Sequence, residues 1–166
     1  VCMQEARVRR SNRERTETTR QALVEAARAL FVSKGYGDTS TPDICASTAT
    51  TRGALYHHFV DKRDLFRQVL VQEVQAIAAN IMAATPAHLT PREALIAGSE
   101  AYLAAMRVPG RTRLLLIDGP AVLGMDEIMA MDESNVAFTL RDGLSAALPD
   151  AQDVSIDALS RLLSAA

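Results

Sequence analysis

The feature that most constrains this chain is the crowding of helix-start signals between residues 39 and 66. Thr41 followed by Pro42 has the chemistry of an N-cap and a first helical residue, Thr51 can cap a second helix, and Asp61 a third. Only a tight turn near Ala49 separates the first two. The spacing predicts one short helix over about Pro42 to Ser47, with Ile44 facing inward. It predicts another over about Arg52 to His58, with Leu55 and Phe59 as core contacts. The second of these carries few bulky apolar residues and presents Arg52, Tyr56 and His57. A helix that declines to bury most of its surface offers it to a partner. Its size and polarity suit the major groove of duplex DNA, which admits one α-helix.

The rest of the chain reads as helix throughout. Leu23, Ala27, Leu30 and Phe31 recur at helical spacing and predict a helix from about Arg15 to Lys34, stopped by Gly35. Leu65, Phe66, Val69, Leu70, Ile77 and Ile81 form the stripe of a helix running from Asp61 to about Ala84. That is about 35 Å at ~1.5 Å per residue, long enough to join two domains. Thr90-Pro91-Arg92-Glu93 combines a capping box with a first-turn proline and starts a helix to about Arg107. Residues 111–118 predict a short apolar helix broken at Gly119-Pro120. Further helices are expected from Asp126 to Leu148 and from near Ser155 onward. No strand pattern or internal repeat stands out, so the expected class is all-α.

Composition narrows the function classes. Nearly half of the 166 residues are apolar, enough for a sizeable core. No run of eighteen apolar residues is present, so no membrane span is expected. The first residues are charged, and no secretory signal is visible. Cys2 and Cys45 have no metal-ligand spacing and are expected to be free thiols, in keeping with a reducing cytoplasm. The net charge of −2 conceals a division. Residues 1–67 hold twelve Lys/Arg against eight Asp/Glu, a net +4, and the remainder six against twelve, a net −6. A basic N-terminal half suits a polyanion. Residues 1–15, with Arg7, Arg9, Arg10, Arg13 and Arg15, are expected to form a flexible basic arm.

Gly35-Tyr36, Thr39, Thr41, Ile44, the run Arg52-Gly53-Ala54-Leu55-Tyr56-His57-His58-Phe59, then Lys62 and Leu65-Phe66 resemble the N-terminal domain of the TetR/AcrR family of bacterial one-component transcriptional regulators. The resemblance covers about residues 16–70. Residues 114–124, Leu-Leu-Leu-Ile-Asp-Gly-Pro-Ala-Val-Leu-Gly, look like the regulatory half of one branch of the family. The resemblance implies a three-helix helix-turn-helix domain over residues 16–62. It also implies a helical ligand-binding and dimerisation domain over 63–166, expected to be incomplete at its C-terminus. Two positions depart from the pattern. Ala49 and Thr50 stand where the family's turn usually holds Gly and an apolar residue, and a positive φ at Ala49 would cost about 1 kcal/mol. Cys45 stands where a small Ala is common.

The candidate DNA-binding residues are Thr41, Thr50, Thr51, Arg52, Gly53, Ala54, Tyr56, His57 and Lys62. Arg52 can bond guanine O6 and N7, or a phosphate. Thr51 combines capping with phosphate contact, and Gly53 permits close backbone approach. By the resemblance Tyr56 touches phosphate or a thymine methyl; packing is its alternative role. His57 can donate to phosphate, while His58 is expected to pack inward. Adjacent helical residues diverge, so the two histidines make a poor metal chelate. Lys62 and Thr41 sit at helix starts, where cationic charge and free amides favour phosphate. Met106, Leu115, Ile117, Met125, Met129 and Phe138 are candidates for an apolar ligand site, with core packing as the alternative for each.

The function expected is a homodimeric DNA-binding repressor, released from an inverted-repeat operator in double-stranded DNA by a small apolar effector. No cofactor is expected. The alternative is a DNA-binding protein of the same fold that ignores small molecules and serves a nucleoid or cell-division role. An enzyme is disfavoured because no nucleophile elbow, P-loop or zinc signature is present and Cys45 has no activating His among its helical neighbours.

Overall fold

The computed structural model describes residues 2–149 and 155–164. Among them every regular element is helical: α1 (Cys2–Lys34), α2 (Thr41–Ser47), α3 (Arg52–His58), α4 (Lys62–Ala84), α5 (Pro91–Met106), α6 (Arg111–Arg113), a π-helical segment (Leu114–Asp118), α7 (Gly119–Leu123), α8 (Met125–Asp132), a second π segment (Glu133–Ala137), α9 (Phe138–Ala147) and α10 (Ile156–Ser164). The chain divides into two compact units, residues 1–69 and 70–166, whereas the sequence placed the division at 62/63. The difference lies inside α4, whose Leu65, Phe66 and Val69 are core residues of the first unit and whose Leu70, Val74, Ile77 and Ile81 are core residues of the second.

The first unit is built around α1, which starts at Cys2 rather than near Arg15. The expected flexible arm is therefore helix from residue 2. No Gly or Pro precedes Gly35, and Met, Gln, Glu, Ala and Arg are good helix formers, so nothing in residues 2–15 stops the helix from extending backward. Gly35 ends α1 at φ 88°, with its N–H donating to the Phe31 carbonyl at 2.9 Å. The Phe31, Tyr36 and Phe66 rings then meet in a cluster, with centroids 4.9–5.6 Å apart. Leu23, Val24, Ala27, Ile44, Cys45, Leu55 and Phe59 complete this core. Cys45 is a free, buried thiol.

Among the described residues of the second unit, Arg111 and Glu73 form a buried ion pair. Arg111 Nε donates to Glu73 Oε2 at 2.6 Å, and its Nη1 donates to the Ala105 carbonyl at 2.8 Å. Both side chains are only 7% exposed. This pair ties α4 to the corner where α5 turns into α6. The expected break at Gly119-Pro120 does not occur. The chain passes through the π segment directly into α7, with Pro120 in the first turn, where its missing N–H is least costly. Gly119 is required there, since a Cβ would lie 2.9 Å from the Leu114 carbonyl oxygen and 3.1 Å from Leu70 Cδ1. The expected single helix over 126–148 is two helices joined by the second π segment. α5 packs against α9, where Gly143 leaves room for Leu95.

Candidate nucleic-acid interface

α2 and α3 form the helix-turn-helix pair, and each cap can be traced to its residue. Ser40, not Thr41, is the N-cap of α2. Its hydroxyl accepts from the Asp43 N–H at 3.2 Å while Asp43 reaches back to the Ser40 N–H at 3.3 Å. This shifts Thr41 and Pro42 one place into the helix. The sequence did carry the signal: Ser-x-x-Asp is a reciprocal cap with the shorter acid in place of Glu. Ser40 also holds the Asp43 carboxyl below its ordinary value, with help from Lys34. α3 starts as expected, with Thr51 Oγ1 accepting from the Ala54 N–H at 3.2 Å.

The turn between them is a Schellman motif. Thr50 N–H donates to the Cys45 carbonyl at 2.9 Å, Ala49 N–H to the Ala46 carbonyl at 3.4 Å, and Ala49 itself lies at φ 51°. Ala49 is the only described residue other than Gly with a positive φ. Thr50 is half-buried, its hydroxyl donating to the Thr48 carbonyl at 3.3 Å.

The outward face of α3 is polar. Of its seven residues only Leu55 is buried. Arg52, Gly53, Tyr56 and His57 are exposed, Ala54 and His58 half-exposed. Thr41 of α2 comes up beside them, with its hydroxyl 3.4 Å from the Tyr56 hydroxyl. Thr41 first, then Arg52 one turn back along α3, hold the Tyr56 phenol below its ordinary value. Thr41, Arg52 and Tyr56 are thus gathered into one exposed polar patch.

His58, expected to pack inward, is only half-buried. Burial lowers its imidazole below the ordinary histidine value, His57 and Arg20 lower it further, and Glu17 opposes them. Arg20 was not foreseen from the sequence. Its guanidinium lies 5.4 Å from the Phe59 ring centre and donates to Gln68 Oε1 at 2.6 Å, linking α1 to the residue closing α3 and to α4. No local sequence pattern announces a contact spanning 48 residues.

Lys62, a phosphate candidate in the sequence, is half-buried and engaged within its own unit. Its ammonium faces inward, donating to the Tyr36 and Thr39 carbonyls at 2.9 Å each and lying 4.2 Å from the Tyr36 ring centre. Asp61 caps α4, accepting from the Asp64 N–H at 2.7 Å.

The apolar candidates of the second unit are not alike. Leu115 is buried and Met106 half-buried, whereas Ile117, Met125 and Met129 are 57–63% exposed. The Phe138 side chain lies outside the described residues. Among the described residues no helix is long and apolar enough to cross a membrane, and no group of three or more His, Cys, Asp or Glu is placed to hold a metal.

Comparison with known proteins agrees with this architecture. A family model described as "Bacterial regulatory proteins, tetR family" matches residues 23–69, and one described as "Tetracyclin repressor-like, C-terminal domain" matches 92–166. The chain is 40% identical over 72 residues to the Tn10 TetC protein of Escherichia coli, covering 43% of this chain and 36% of that one. It is 30% identical over 101 residues to the HTH-type transcriptional repressor BepR of Brucella suis, covering 57% and 47%. These alignments span less than half the length of the curated relatives. A TetR-family transcriptional regulator from Pectobacterium atrosepticum superposes with a TM-score of 0.72 at 29% identity, over 92% of this chain and 79% of that one. With both units matched and the helix-turn-helix in place, the chain belongs to the TetR family of bacterial regulatory proteins.

Proposed function

We propose that this protein is a homodimeric transcriptional repressor that binds an inverted-repeat operator and leaves it when a small apolar effector binds the second unit. The observation that carries the DNA half of this reading is the face of α3. It keeps Leu55 for the core and turns Arg52, Gly53, Tyr56 and His57 to solvent, with Thr41 alongside.

In this reading Arg52 reads a base edge and Tyr56 and His57 hold phosphates. Thr41 and Thr51 supply hydroxyls at helix starts, and Thr50, whose N–H and hydroxyl donate to the Cys45 and Thr48 carbonyls, belongs to the turn that positions them. Thr51 has its acceptor engaged in capping and keeps its hydroxyl proton for a phosphate. Gly53 and Ala54 let the backbone approach. Two copies place their α3 helices in successive major grooves, about 34–36 Å apart. For the effector, the exposed Ile117, Met125 and Met129, with Met106, Leu115 and Phe138, are the candidate contacts. Such a ligand must prefer the form that releases DNA, because equal affinity for both forms shifts nothing.

The test is a footprint on the DNA flanking its own gene, repeated with apolar compounds. A protected inverted repeat lost on adding one compound supports the whole reading. Protection at scattered sites that no compound alters favours an inducer-independent protein, and absence of protection refutes DNA binding.

A further inference from the structure

We propose that Lys62 is a positioning residue for the DNA-binding surface: an internal strut that fixes the start of α2, rather than a cation that contacts phosphate. The proposal rests on the DNA-binding reading above and changes the role of one residue within it.

The argument begins with the donors. An ammonium has three N–H groups. Two are spent on the carbonyls of Tyr36 and Thr39, and the charge lies over the Tyr36 ring. That ring is in turn wedged against Phe31 and Phe66. Thr39 is buried, and its hydroxyl donates to the Gly35 carbonyl at 2.8 Å. Thr39 immediately precedes Ser40, the cap of α2. Lys62 therefore reaches from the first turn of α4 to both ends of the 36–39 link and closes off two carbonyls that have no helix to bond. Moving that link would move Ser40 and Thr41, and with Thr41 the neighbour of the Tyr56 hydroxyl.

Arginine separates the two roles. It keeps the charge, but its planar fork on a different stem does not converge on two carbonyls as an ammonium does. Methionine keeps the stem and loses the charge. The unmodified protein, Lys62→Arg and Lys62→Met are titrated across a salt series with duplexes the unmodified protein selects from a randomised library. Thermal melts and amide exchange of the same three proteins run in parallel. A strut predicts that both variants lose affinity by about tenfold. It also predicts an unchanged slope of log affinity on log salt, and faster exchange at residues 36–41. A phosphate contact predicts full affinity for Lys62→Arg and a slope smaller by about 0.9 for Lys62→Met. That second pattern overturns the proposal. If the unmodified protein selects no duplex, the DNA-binding reading fails; unchanged exchange in both variants then overturns the strut independently.

Discussion

Replacing Ala49 by glycine should stabilise this protein. Ala49 occupies the left-handed position that closes α2, at φ 51°, with the carbonyls of Cys45 and Ala46 satisfied by the N–H groups of Thr50 and Ala49. The hydrogen bonds fix the conformation, so the side chain must bear it. An L-residue in this region costs about 1–2 kcal/mol, because Cβ crowds the following carbonyl oxygen. Glycine avoids that cost but gives the unfolded chain about 0.4–1 kcal/mol of extra freedom. The difference favours Ala49→Gly by about 0.8 kcal/mol, or a melting-temperature rise of about 2–3 °C for a chain of this size. Ala49 is exposed, so no cavity is opened and no packing is lost. Urea unfolding followed by circular dichroism measures the effect; the midpoint should rise with an unchanged slope. Ala49→Val serves as the opposite arm, since a β-branched side chain fits this region worse than Ala. A glycine variant at or below the parent midpoint would refute the reasoning, because it would mean that the turn does not hold Ala49 at positive φ in solution.

Three other outcomes are expected. Arg52→Ala should lower operator affinity by about 1–3 kcal/mol and flatten the preference at one base position, read by binding to single-base operator variants. A uniform loss across all of them would assign Arg52 to phosphate. Arg111→Met should destabilise the fold by about 3–5 kcal/mol, because it leaves the Glu73 carboxylate buried without its cation. Adding Glu73→Leu should recover most of that loss, and a double variant no more stable than the single one would contradict this account of the pair. Stability should also depend on pH through His58. Its imidazole is held below the ordinary value, so the unfolded chain binds the proton more tightly. The stability attached to this group is present above about pH 6.5 and lost as pH falls below it. Urea midpoints compared on either side of that pH should converge in His58→Phe, and a parent protein with a flat profile would exclude the effect.

Much of this architecture was legible because helix starts and stops are local chemistry. Thr51, Asp61 and the Thr90–Glu93 box each cap where the sequence placed them, Gly35 ends α1 as its residue type allows, and the turn falls at Ala49 although alanine disfavours the positive φ it adopts there. Several features were missed, for physical reasons. The backward extension of α1 has no positive signal, only the absence of a breaker before Gly35. The π segment before Gly119 arises from tertiary fit: Gly119 must sit within van der Waals reach of Leu70 and Ile128, and no periodicity encodes that. Lys62 and Arg20 are surface-type residues whose partners lie 23 to 48 positions away, so their inward roles are visible only once the chain is folded. The polar face of α3 lay at the other extreme, since seven residues with one large aliphatic side chain leave little choice about what is outside.

Because α4 lends residues to both hydrophobic cores, the protein has no clean seam along which to be cut. Scission between Val69 and Leu70 would leave eight residues of that helix on the N-terminal piece, held only by Leu65, Phe66 and Val69 and without the turns that follow them. An excised DNA-binding fragment should therefore end at Ala84, carrying the whole rod with it.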